Sequence, residues 1–200
     1  MATRAHVGNS TRRDRIPYIN EEVTQIIRKI ENETGNQLLA QSLEFNPTAL
    51  THIKRLLIYG GSIIADTNLI VSDIEQAIPS ESGVQVKCFL DEPEVVKLAN
   101  LHRSTRAEIA ADVGLSTPGL KLMVVSAAPA TLNRIITRRK HEPMTDVCVL
   151  AAPTGFASVV QLKEKLRESD MAYIVARGKQ GGIAATVTIL NSILKDIQEK

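Results

Sequence analysis

The 200-residue chain has no tryptophan, three phenylalanines and three tyrosines, so aromatics make up 3% of it. A surface that stacks bases on aromatic rings is disfavoured, and the core has to be aliphatic. There are two cysteines, Cys88 and Cys148, in the separate apolar stretches VKCFL and DVCVL. They read as two buried thiols in a reducing cytoplasm, not as a disulfide framework or a metal site. No run of about 18 apolar residues is present, and the first fifteen residues lack the apolar stretch of a secretory signal. Charge of either sign is nearly balanced, at +2. Arg4, Arg12, Arg13 and Arg15 against Asp14 place +3 in residues 1–15 and leave −1 for the rest. The basic balance is therefore a property of a tail, and neither a nucleic acid nor a membrane is expected as a partner. The Walker pattern is missing, as is GxGxxG after the first strand. Ser158 lies in GFASV and not in GxSxG, so serine hydrolase chemistry has no support. His6, His52, His102 and His141 have no partner at metal-ligand spacing, so no metal is expected.

What is present is ordinary globular composition, 44% hydrophobic and 23% charged, enough for one sizeable core. We divide the chain into a flexible basic N-terminal arm, 1–16, and a single α/β domain, 17–200. The arm reads as a plain disordered terminus, with a segment that meets a nucleic acid or an anionic ligand as the alternative. NEEVTQIIRKI places Val23, Ile26, Ile27 and Ile30 on one helix face. FNPTALTHIKRLLIYGG predicts a helix capped by Asn46, with Pro47 in its first turn and Gly60 at its end. Strands then alternate with helices: SIIAD, VQVKCF, LKLMVVS, DVCVLAA and AYIVA are the strands. A long helix from about Glu92 to Val113 and the helices ATLNRIITRR, ASVVQLKEKLRE and IAATVTILNSILKDI separate or follow them. The last helix has an apolar stripe at Ile183, Val187, Leu190, Leu194 and Ile197. This alternation predicts an α/β fold with a five-stranded parallel sheet covered by helices on both faces.

Ligands of such sheets bind outside the carboxyl ends of the strands. The residues to examine are Asp66-Thr67-Asn68, Ser126-Ala127-Ala128-Pro129, Ala152-Pro153-Thr154-Gly155 and the loop from Arg177 to Gly182. The last loop, RGKQGG, admits two readings. It is an anion site built from exposed amides, a helix start, Arg177 and Lys179, or it is a tight turn that uses glycine for positive φ. Arg103 and Lys163 are further cations. Together these features suit a ligand carrying many carboxylates or phosphates.

Five segments, in order and in register from Glu21 to Leu194, resemble the precorrin-8X methylmutase family of corrin biosynthesis. FNPTALTHIKRLLIYGGSIIADTNLI is similar to the family's F-S-P, helix, then Gly-x-x-Ile-x-x-Asp. His102-Arg103-Ser104 resembles its Thr-Arg-Ser. VVSAAPATL resembles Ile-Gly-Asn-Ala-Pro-Thr-Ala-Leu, APTGFASVVQLKEKL resembles Pro-Val-Gly-Phe-Val-Gly-Ala-x-Glu-Ser-Lys, and ARGKQGGIAATVTILNSI resembles Arg-Gly-x-x-Gly-Gly-Ser ending in Leu-Asn-Ser. The resemblance implies a three-layer flavodoxin-like fold, a homodimer with its site near the subunit interface, and a cofactor-free isomerase. In that family a methyl group moves from C-11 to C-12 of the macrocycle, eased by a histidine acting as general acid. The substrate-binding residues it implies are Asp66, Thr67, Asn68, Arg103, Ser104, Ala128, Thr131, Thr154, Gly155, Arg177, Lys179, Gly181 and Gly182, with the ligand a corrinoid or other carboxylate-rich tetrapyrrole.

Departures from the family pattern cluster at polar positions. Counting back from Pro47 places Asn32 where the family has its histidine; matching forward from Arg28 and Ile30 places Glu31 there. The family's Gly-Asn is Ser126-Ala127, its Glu-Ser is Gln161-Leu162, and its Gly-Gly-Ser ends in Ile183. Glu31 is thus the candidate catalytic acid, with Asn32 beside it. A desolvated glutamic acid stays protonated near neutral pH and can donate; the alternative is a solvated Glu31 at a helix end and a protein that binds without turnover.

Overall fold

A computed structural model describes residues 18–200; the expected arm at 1–16 lies outside them. Helix α1 (Glu21–Thr34) starts where the Asn20 side chain accepts from the Val23 N–H at 2.8 Å. It ends where Gly35, at φ 61°, returns its N–H to the Glu31 carbonyl. Val23, Ile26 and Ile30 are its buried face; Ile27 is half-buried. Short α2 (Gln37–Ser42) leads into β1 (Leu43–Phe45), α3 (Ala49–Tyr59) and β2 (Gly61–Ala65). After a 3-10 turn and α4 (Val71–Glu75) come β3 (Val84–Lys87), α5 (Pro93–His102), α6 (Arg106–Ser116) and β4 (Lys121–Val125). The chain closes with α7 (Pro129–Arg139), β5 (Val147–Ala151), α8 (Ala157–Arg167), β6 (Ala172–Ala176) and α9 (Ile183–Gln198).

The strand order is β1-β6-β5-β4-β2-β3. The five expected strands are all present and parallel, and their order, 2-1-3-4-5 when numbered among themselves, is the flavodoxin-like one. The sheet also has a sixth strand, which corrects the five-stranded expectation: β1 pairs antiparallel with β6, Leu43 opposite Ala176 and Phe45 opposite Ile174. A three-residue strand directly after a helix offers no periodicity to read.

Period-2 alternation divides the apolar runs between the two faces. Ile63, Ala65, Leu122, Val124, Cys148, Leu150 and Ile174 pack with α1, α3 and α9. Ile64, Met123, Val125, Val147, Val149, Tyr173 and Val175 pack with α6, α7 and α8. Burial of each such aliphatic side chain contributes about 1.5–3 kcal/mol, and both layers are needed to cover a sheet that is apolar on both sides.

Three further expectations are corrected. The long helix from Glu92 to Val113 is two helices. Arg103 takes a left-handed turn at φ 52°, and Thr105 with Glu108 forms a capping box that starts α6. Asn46 does not cap α3; its Oδ1 accepts from the Thr48 N–H and hydroxyl, one turn ahead of the helix. The buried side of α9 centres on Thr186, Ile189, Leu190, Ile193 and Leu194, while Ile183, Val187 and Ile197 lie at its partly buried margins. Of the thiols, Cys148 is buried and Cys88 half-buried.

Candidate functional site

The topological switch point lies between β2 and β4, and the loops that leave these strands meet there. Asp66 follows β2 and is buried. Its carboxylate accepts from the Ser126 hydroxyl (2.7 Å) and from the N–H groups of Ser126 (3.0 Å), Ala127 (2.8 Å) and Ala128 (2.6 Å). Those three amides lead into α7, so the anion-attracting start of α7 already holds an internal carboxylate. Asp66 and Ala128 are therefore brought together, and their donors and acceptors are spent on each other.

None of Ala128, Phe156 and Gly182, the N-caps of α7, α8 and α9, makes a side-chain capping bond; α8 and α9 differ from α7 in having no buried carboxylate such as Asp66 among the described residues at their starts. The loop into α9 is anchored by the Gly182 N–H, which donates to the Ala152 carbonyl at 2.7 Å. Gly181 has φ 132°, and a Cβ there would stand 2.0 Å from the Ala152 oxygen. The glycine reading and the anion reading of this loop thus apply to different residues: Gly181 is required by contact, while Lys179 is exposed. Among the described residues no carboxylate pairs with Lys179. Thr154 is exposed next to Gly182, and Gly155 packs onto Val159.

Arg177 is held from the end of α2 and from β1. Its N–H donates to the Ser42 carbonyl at 2.9 Å. Its guanidinium stands 3.9 Å from Glu44 and 4.0 Å from Glu164. Glu44 is buried and accepts from Arg167 (2.9 Å) and from the Tyr173 hydroxyl (3.0 Å). This network was invisible in sequence, because Glu44 lies in the strand that has no pattern. Lys163, on α8, turns inward under the same loop; its Nζ donates to the carbonyls of Gly178 (3.1 Å) and Gln180 (2.7 Å). Burial lowers its pKa to about 8.

On the other side of the switch point, Asn68 donates to Asp91 at 2.8 Å and Arg106 bonds the same carboxylate at 2.9 Å. The loops after β2 and β3 are thereby tied to the start of α6. Thr67 accepts weakly from the Leu69 N–H at 3.4 Å. Ser104 donates to Glu108 at 2.8 Å. The Thr105 N–H, then the Ser104 and Thr105 hydroxyls, hold the Glu108 carboxyl below the usual carboxylate range. Arg103 is exposed beside them. Thr131 is buried and reaches the Ala107 carbonyl at 3.4 Å, joining α7 to α6.

Glu31 and Asn32 sit elsewhere. Helix α1 runs antiparallel to α9: Glu22 meets Lys200, Lys29 meets Asp196, and Glu33 accepts from Ser192 at 2.9 Å. Ser192 lies about 13 Å along α9 from its first residue, at about 1.5 Å per residue. Glu31 is half-buried and Asn32 exposed, so within one chain these two do not join the loop from Arg177 to Gly182. Cavities of about 350 and 520 Å³ open at the opposite, amino edge of the sheet, around His52, Arg55 and Arg139 and around Lys140, Lys165 and Asp170. The fold's chemistry favours the carboxyl edge over these cavities, since only there do helix starts converge. Among the described residues, no group of acidic, histidine and cysteine side chains is arranged to hold a metal, and no helix is long and apolar enough to cross a membrane.

The precorrin-8X methylmutase family model matches residues 4–196. The cobalt-precorrin-8 methylmutase of Salmonella typhimurium is 27% identical over 175 residues, covering 87% of this chain and 81% of the relative. That of Methanothermobacter thermautotrophicus is 26% identical over 175 residues, covering 88% and 81%. Among solved structures, a precorrin-8X methylmutase related protein superposes with TM-score 0.75 at 20% identity, over 90% of this chain and 94% of that one. The precorrin-8X methylmutase of Thermus thermophilus superposes with TM-score 0.74 at 21% identity, over 92% and 90%. These two carry the fold.

Proposed function

The chain belongs to the precorrin-8X methylmutase family, and from that membership we propose that it is a methylmutase-like isomerase of cobalamin biosynthesis, moving a methyl group from C-11 to C-12 of a corrin precursor. The observation that carries the reading from family to site is the pair of uncapped helices, α8 and α9, beside Arg177 and Lys179. Acidic arms of a macrocycle find amides and cations there. Asp66, Thr67, Asn68, Ala128, Thr131, Thr154, Gly155, Gly181 and Gly182 form or brace that edge, and Arg103 and Ser104 lie at its α5–α6 end.

Glu31 is the proposed acid and Asn32 its alternative. Their distance from the loop within one chain supports a homodimer, in which a partner subunit can bring another surface to the site. The exposed Leu69, Leu101 and Phe156 support the same assembly. Light scattering is expected to give twice the 21.8 kDa of the chain; the monomer mass at micromolar concentration rejects it. The place of action is proposed as the cytoplasm.

The test is the initial rate of the corrinoid absorbance change for wild type, Glu31→Gln and Glu31→His. Glu31→Gln should abolish turnover and keep most binding, and Glu31→His should raise the rate. Turnover that ignores Glu31→Gln rejects Glu31 as the acid. Binding without turnover in every variant favours a silent corrinoid-binding relative, a reading motivated by the exposure of Asn32 and the half-burial of Glu31. In the same titration, Arg177→Ala should weaken binding about tenfold, the value of one charge-assisted contact.

A further inference from the structure

Lys163 is fully buried. Among the described residues no carboxylate pairs with it. A buried ammonium without a counter-charge is costly, and a methionine of similar volume would fill the space without that cost. The cation therefore has to be explained by what it holds, and it holds two carbonyls of one loop. In a trans peptide the C=O and the following N–H point in opposite directions. Drawing the Gly178 and Gln180 carbonyls toward Nζ turns the Lys179 and Gly181 N–H groups the other way, out of the loop. Among the described residues no acceptor takes either N–H. Positive φ at Gly178 (61°) and Gly181 (132°) makes this winding possible. The two outward amides are followed at once by the uncapped start of α9 and flanked by the exposed Lys179 side chain.

We propose that Lys163 is a positioning residue: by holding the Gly178 and Gln180 carbonyls inward, it presents the Lys179 and Gly181 N–H groups as a two-amide seat for one carboxylate of the ligand. The inference rests on the proposed function for the identity of the ligand, but not for the latch itself. Successive backbone N–H groups turned to one side form an anion-binding concavity, and the ammonium on the far side of the same peptides adds attraction. Lys163 touches no ligand; it acts through the two peptides.

The experiment uses the full chain and two readouts. The first is amide exchange in wild type, followed by NMR. Lys179 and Gly181 should exchange quickly, and Gly182, bonded to Ala152, should be protected. Slow exchange at Lys179 and Gly181 overturns the proposal without any variant. The second is Lys163→Met beside Lys163→Gln, followed by exchange of the 177–182 segment and by fluorescence titration with an octacarboxylate porphyrin. Lys163→Met should raise exchange of the Gly182 amide, which is protected in wild type by its bond to Ala152, at least tenfold, leave the β4 and β5 segments unchanged, and weaken porphyrin binding about tenfold. Lys163→Gln, whose neutral amide still offers two N–H donors, should recover most of both. Unchanged exchange in Lys163→Met overturns the latch. Loosened exchange with unchanged porphyrin affinity overturns the carboxylate seat. If wild type binds no porphyrin while Lys163→Met loosens the loop, the latch stands and the proposed function is what fails.

Discussion

The two ends of the sheet each bury a lysine, and each lysine gathers loop carbonyls. At the amino end, Lys121 donates to Thr117 (2.7 Å) and Gly119 (2.8 Å) and pairs with Asp146. His52 adds a hydrogen bond from Nε2 to the Lys121 carbonyl at 3.0 Å. At the carboxyl end, Lys163 donates to two carbonyls with no carboxylate to match its charge. The buried lysine of the amino end has its charge matched, whereas that of the carboxyl end lacks a counter-charge and lies beneath two outward amides and beside two helices without side-chain caps. Even within the carboxyl end the division holds: α7 is closed by Asp66, α8 and α9 are not. A fold under no demand but stability closes such ends, so the open one marks where a ligand is expected.

The largest effects should come from breaking the closed helix start. Asp66→Asn leaves one oxygen for donors that now share four bonds, and turns an NH2 group toward N–H donors. About 3 kcal/mol or more of stability should be lost, by the size of charged hydrogen bonds left unmade; urea unfolding measures it. Gly181→Ala should cost about 3 kcal/mol, because its Cβ meets backbone and its φ disfavours side chains. Gly178→Ala, at φ 61° with nothing within 4 Å, should cost only about 1 kcal/mol. Equal losses for the two glycines would remove the contact with Ala152 from the account.

Next are the two lysines. Lys121→Met strands two carbonyls and an acid and should cost about 2–3 kcal/mol. Lys163→Met also strands two carbonyls but relieves an uncompensated buried charge, so about 1 kcal/mol is expected, with the loss appearing in ligand binding instead. Thermal unfolding of both variants side by side checks the ranking, and a reversed order contradicts the open-and-closed distinction.

The remaining effects are in pH. Burial lowers the Lys163 pKa from 10.5 to about 8, so between those values the unfolded chain binds more protons than the native one. Stability contributed by this group should therefore rise with pH across about 8 to 10.5, with a slope of at most about 1.4 kcal/mol per unit, and Lys163→Met should lack the rise. Burial also lowers the His52 pKa, so stability should fall as pH drops below 6.5 through its lower native value. His52→Gln should flatten that fall in urea titrations taken at successive pH values.

Much of the fold was legible in the residues themselves. The five apolar runs, the stop at Gly60 and the loop glycines near Arg177 are local signals, since positive φ and period-2 burial depend on neighbours in the chain. The capping box at Thr105–Glu108 is an equally local signal, and the expected single helix from Glu92 to Val113 overlooks it. The sequence also indicated which loops to examine and, through five ordered motifs, the family. Other features belong to tertiary structure alone. The pairing of Leu43–Phe45 with β6, the spending of Asp66 on α7, the turning of Lys163 beneath its loop and the separation of Glu31 from Arg177 all join residues distant in sequence. Side-chain chemistry states what Asp66 and Lys163 can bond, but only the packing of helices across the sheet decides which partner lies within 3 Å, and so which charges are used up inside the molecule and which remain for a ligand.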